Sequence, residues 1–102
     1  MKLYYSQRAT RSLNNVYEFL CEKSSRAAAI IHNEILDEVD KLLLFPLMAP
    51  LEEELQDRKF EYRSLVVHYT YKVIYRIEEQ KIYIVDVWDC RRDPEKLQMN
   101  IP

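Results

Sequence analysis

A chain of 102 residues, 48% apolar and 31% charged, has the make-up of a folded, soluble protein and is long enough for one core, so residues 1–102 are expected to form a single domain. Glycine is absent, which removes the phosphate-cradling loops of nucleotide-binding folds. The formal net charge is −2, with 6 basic and 10 acidic residues over 1–57 and 9 and 7 over 58–102, far from the basic balance that bulk nucleic-acid binding needs.

Lys2–Tyr5 reads as a short opening strand. Ser6 is predicted to cap the next helix, since its hydroxyl can accept from first-turn amides. Ala9, Leu13, Val16, Tyr17 and Leu20 keep helical spacing to about Cys21. After a break at Ser24-Ser25, Ala28, Ile31, Ile35, Val39 and Leu42 line one face of a second helix, which Pro46 stops. Two helices with so short a connection form an antiparallel hairpin. Leu47–Gln56 reads as a loop whose Glu52-Glu53-Glu54 segment is solvated.

Three strand-like runs follow, Lys59–Val67, Tyr69–Ile77 and Lys81–Trp88. In the first, Phe60, Tyr62 and Ser64 alternate against Lys59, Glu61, Arg63 and Leu65. In the second, Tyr71, Val73, Tyr75 and Ile77 share one face, and Thr70, Lys72, Ile74 and Arg76 the other. Ile82 and Ile84 oppose Tyr83, Val85 and Val87 in the third, so that strand is apolar on both faces and expected at the centre of the sheet. Asp93 with Pro94 could cap a last helical turn. The fold class is therefore α+β, an N-terminal strand and helical hairpin packed on one face of a small, largely antiparallel sheet.

Cys21 and Cys90 lack metal-ligand spacing, His32 and His68 add none, and both thiols are expected to be free in a reducing compartment. No metal or other cofactor is expected. The residues following Met1 hold no stretch apolar enough for a signal peptide. The greasiest run, Leu42 to Leu51, is cut by Pro46 and Pro50 and is too short to span a bilayer, so no membrane partner is expected and the cytoplasm is the default location.

Lys72 and Arg76 put cations on one sheet face, and Arg91-Arg92 adds two where the last strand ends, a pattern suited to an anion. Each has a plainer reading: Arg91-Arg92 as a turn paired with Asp89, Asp93 and Glu95, Lys72 and Arg76 as an ordinary exposed face, Arg63 likewise. Trp88 either anchors a partner or closes the core, the core being the better fit. Cys90 is expected to be an inert thiol despite the nearby arginines, and His68 a turn residue.

The order of elements, together with Tyr4-Tyr5-Ser6-Gln7-Arg8-Ala9, Phe45-Pro46, Tyr62-Arg63-Ser64-Leu65, Tyr71-Lys72-Val73-Ile74-Tyr75-Arg76-Ile77 and Asp89-Cys90-Arg91-Arg92-Asp93-Pro94, resembles the RelE/ParE superfamily of bacterial toxins over nearly the whole chain. The resemblance implies a toxin of a type II toxin–antitoxin module, neutralised by a cognate antitoxin. RelE-like members cut messenger RNA in the ribosome, whereas ParE-like members poison DNA gyrase and are not nucleases. If this chain were a ribosome-dependent endonuclease, motif carry-over would make Lys72, Arg63 and Arg92 its phosphate-handling residues. The C-terminal tyrosine or histidine of that branch is missing, however, and no proton shuttle follows Arg92.

The Arg-Asp-Pro ending and the acidic charge fit the ParE-like branch better, with Arg91, Arg92, Lys72, Arg76 and Trp88 as the binding set. The alternatives are the RelE-like nuclease and a non-toxic member that only binds its antitoxin. The chain's status as an enzyme thus stays open. Expected partners are the antitoxin and either gyrase or the ribosome with its message, with a second copy of the chain, as a homodimer, a further option.

Overall fold

Ser6 starts the first helix as its spacing predicts: its hydroxyl accepts from the amide of Ala9 at 2.9 Å. The computed structural model describes residues 1–91 and 101; the expected cap at Asp93-Pro94 lies outside them. Strand β1 (Lys2–Tyr5) leads into helix α1 (Gln7–Cys21), and helix α2 (Ser25–Asp40) opens on the hydroxyl of Ser24, which accepts from Ala27. Beyond Asp40 the coil tightens into a 3-10 turn over Lys41–Leu43 before Pro46. A second 3-10 turn over Glu53–Leu55 precedes strands β2 (Arg63–Val67), β3 (Tyr71–Glu78) and β4 (Lys81–Asp89).

The sheet runs β1-β4-β3-β2, with β4 at its centre between a parallel β1 and an antiparallel β3. The expected α+β architecture and the central, doubly covered β4 are both present. The helical hairpin covers one face. There Ala9, Leu13, Ile35, Val39 and Leu42 from the helices meet Leu65, Val67, Tyr71, Val73, Tyr75, Ile82 and Ile84 from the strands.

Three local expectations are corrected. The strand expected over Lys59–Val67 starts only at Arg63, and Phe60 departs from the sheet. A bulge sets Val85 between the pairs Ile74↔Asp86 and Tyr75↔Ile84. It breaks the alternation, so Val87 joins Ile82 and Ile84 in the helix-side core instead of facing away with Tyr83 and Val85. Asp86, also turned to the helices, is buried and accepts from the hydroxyl of Ser12 at 2.6 Å and from the amide of Val87 at 2.8 Å. Finally, Glu78, which with Glu79 and Gln80 separates the two runs in the sequence, pairs with Lys81 as the last residue of β3, so the β3–β4 turn has only two residues, Glu79 and Gln80, with φ of 49° and 68°. That left-handed pair matches the twist of a hairpin but normally uses glycine or asparagine.

Candidate functional site

The face turned away from the helices collects Lys72, Ile74 and Arg76 from β3, as the alternation predicts. Tyr83 and Trp88 join them from β4, Tyr4 from β1, and Ser64 and Val66 from β2. Half of this face is closed by the segment between Leu51 and Tyr62. Leu55 and Tyr62 pack there with Ile74, Trp88 and Ile101 in a second, smaller core. Trp88 is only 2% exposed, so it closes a core and does not stand out as a surface anchor.

Lys72 meets a partner that the sequence reading placed in solvent. Glu52 is 4% exposed, and its carboxylate accepts from Lys72 Nζ at 2.6 and 3.2 Å, with Ser64 Oγ at 3.4 Å. The backbone explains the burial. Leu51 bridges to Arg63, the amide of Glu52 donates to the carbonyl of Tyr62 at 2.8 Å, and the amide of Ser64 donates to that of Pro50. The acidic segment is thereby pinned against β2, and its first glutamate turns over the sheet face. The expectation of a wholly solvated Glu52-Glu53-Glu54 loop is corrected at Glu52. A phosphate approaching Lys72 would have to displace a carboxylate tethered in place, and would leave that buried charge facing its own.

Arg63 does not join Lys72. It pairs with Tyr75, whose side chain belongs to the helix-side core, whereas Lys72 pairs with Val66 and Trp88 on the other face. Arg63 Nη1 donates to the carbonyl of Ala49 at 2.7 Å, and Tyr75 Oη donates to that of Pro46 at 2.8 Å. Together the two side chains fasten the loop that leaves α2. Arg91, at the end of β4, grips Asp89 with Nε at 3.0 Å and Nη2 at 2.7 Å, and this carboxylate raises its pKa further. Arg92 lies outside the described residues.

Arg76 is held differently. Its guanidinium lies 4.1 Å from the ring centre of Phe60 and 4.6 Å from that of Tyr83. The irregular stretch that shortened β2 is what delivers Phe60 to this place. Nη1 also donates to Glu78. Cys90 is unbridged, as is Cys21, and partial burial pushes its thiol pKa up in spite of Lys72, which keeps it protonated. His68 sits in the β2–β3 turn with φ 55°, its Nδ1 3.0 Å from Glu34 of α2.

Two features escaped the sequence reading. The Glu52–Lys72 pair joins positions twenty residues apart whose meeting depends on the strand register. The clamp on Arg76 depends on Phe60 leaving the sheet. A third was visible in outline as the greasy run around Pro46: Leu44 is 77% exposed, and Phe45, Leu47, Met48 and Leu51 are exposed with it. Val66, on the edge strand, is exposed too.

The family model described as "ParE toxin of type II toxin-antitoxin system, parDE" matches residues 3–94. Among solved structures nine chains match. One is described as the chromosomal ParDE toxin–antitoxin system from P. aeruginosa. The likeness to it has a TM-score of 0.72 at 16% identity and covers 87% of this chain and 95% of that one, which is a likeness of fold. No protein of curated function matches the sequence.

Proposed function

Because this chain belongs to the ParE toxin family of type II toxin–antitoxin systems, we propose that it arrests growth by binding DNA gyrase and that a cognate antitoxin holds it in check. The observation that carries the choice of target is the capture of Lys72 by the buried Glu52. A ribosome-dependent nuclease needs cations free to meet the charge that builds on phosphate. In this chain Lys72 is neutralised, Arg91 is bound to Asp89, and Arg63 faces the other side of the sheet. That distribution supports action by surface binding over RNA cleavage.

The antitoxin of such a module would be a partly disordered partner that orders on docking. The exposed Leu44, Phe45, Leu47 and Met48, together with Val66 on the edge strand β2, offer it apolar area. Among the described residues no helix is long and apolar enough to cross a membrane, and the proposed target places the protein's action in the cytoplasm.

Purified protein added to gyrase at micromolar concentration is expected to abolish supercoiling of relaxed plasmid and to trap cleaved DNA. Primer extension on messages from induced cells should show no new stops at ribosome-occupied codons. Unchanged gyrase activity together with such stops would overturn the proposal in favour of the nuclease. Growth unaffected by induction would leave only an antitoxin-binding member.

A further inference from the structure

We propose that the clamped guanidinium of Arg76, with Lys59 and Lys81 on either side, anchors a carboxylate-bearing segment of a partner protein on the helix-free face. The site is a row that crosses the sheet. Tyr4 and Tyr83 are register partners on β1 and β4, and their rings stack at 5.6 Å with an interplanar angle of 22°. Tyr83 is in turn the register partner of Arg76 on β3, and Phe60 closes the other side of the guanidinium. Lys81 lies 6.0 Å from the ring centre of Tyr4, and Lys59 lies 5.6 Å from that of Phe60. The contacts run from Lys81 through Tyr4 and Tyr83 to Arg76 and on through Phe60 to Lys59, three cations joined by rings from three strands and a loop.

Clamping matters because a free arginine loses side-chain entropy when it binds. A guanidinium fixed between two rings has already lost it, and its planar fork suits a carboxylate. Glu78 shows the preference by occupying Nη1. No acceptor among the described residues meets Nε or Nη2, although a fifth of the side chain reaches solvent, its relative exposure being 20%. The row crosses about three strand spacings, on the order of 15 Å. An extended peptide covers that span in roughly five residues, enough for its carboxylates to reach more than one of the three cations.

Nucleic acid fits the row less well. Bases bind proteins by stacking on open ring faces. Here Tyr4 and Tyr83 face each other, and the guanidinium covers faces of Phe60 and Tyr83. The net charge of −2 also repels a polyanion, while a local cluster can still hold one acidic segment. The inference does not depend on gyrase being the target.

The test follows the arginine Nε–Hε resonances and backbone amides by 15N NMR while an acetylated (Glu-Ser)4 peptide is added at low salt. Its (Gln-Ser)4 counterpart and a ten-residue deoxythymidine oligonucleotide are titrated in parallel. Saturable shifts at Arg76 Nε and at the amides of Tyr4 and Tyr83 are expected with the Glu peptide alone. Arg76→Lys, which keeps the charge and much of the stem, should weaken binding about fivefold, and Glu78→Gln, which removes the competing negative charge beside Nη1, should tighten it about threefold. Thermal melts of both variants establish that the sheet is intact. Shifts scattered over the surface, affinity indifferent to both substitutions, or tighter binding of the oligonucleotide at the same resonances would each overturn the proposal.

Discussion

The two faces of the sheet are built on different principles. Under the helices lies an apolar layer of aliphatic side chains and buried tyrosine rings, continuous from Ala9 to Val87. The opposite face has only a small core, Leu55, Tyr62, Ile74, Trp88 and Ile101, beside an ion pair and a stacked arginine. The first face holds the fold by area removed from water. The second uses polar and ring contacts between segments distant in sequence, which set what the surface can bind.

Core truncation tests this contrast most directly. Ile84→Ala, at a fully buried position in the central strand, should cost about 4 kcal/mol, whereas Leu55→Ala, in a single surface turn able to collapse, should cost about 2 kcal/mol. Urea denaturation would measure both, and equal losses would show that the smaller core is no less rigid than the larger. The ion pair comes next. Lys72→Met leaves the carboxylate of Glu52 buried without its cation and should cost about 3 kcal/mol. Glu52→Gln should cost about 1 kcal/mol, because Lys72 is 30% exposed and can turn to water. Combining Lys72→Met with Glu52→Leu should recover most of the loss.

The hairpin joining β3 to β4 belongs to neither face. Gln80→Gly there should stabilise the protein by about 1 kcal/mol, visible as a raised melting temperature, since φ of 68° is open to glycine without steric cost. The smallest effect belongs to the helix side. Burial raises the pKa of Tyr5, Tyr71 and Tyr75 above the ordinary value near 10, so in the folded state they keep their protons at a pH where the unfolded chain loses them. Their contribution is complete below pH 10 and declines as pH rises through and beyond it. Denaturation midpoints at pH 9 and 10.5 should differ in that direction, and the decline should be shallower in Tyr71→Phe.

What could be read from the sequence was set by distance along the chain. The periods of 3.6 and 2, the cap at Ser6, the break at Ser24-Ser25 and the stop before Pro46 are local, so β1, both helices and the core positions were legible. The alternation in Tyr71–Ile77 correctly separated Lys72 and Arg76 from the helix side. The bulge at Val85 has no local signature in an apolar run, and it turned Val87 around. Glu52 looked solvated because its burial depends on Leu51 bridging Arg63 twelve residues on. Arg63 and Lys72 look alike as strand cations, and only the register with Tyr75 and Trp88 puts them on opposite sides.

The pairing of β1 with β4 carries a consequence for how the protein is born. Strand β1 precedes its register partners, Lys81 to Ile84, by nearly the whole of the described chain, and the hydroxyl of Ser6 donates to the carbonyl of Val85. Until some eighty later residues are synthesised, the opening segment has nothing to bind to, and the central strand itself does not exist. A chain lacking the residues from Lys81 onward would therefore keep the helices and the β2–β3 hairpin but lose the strand that joins that hairpin to β1.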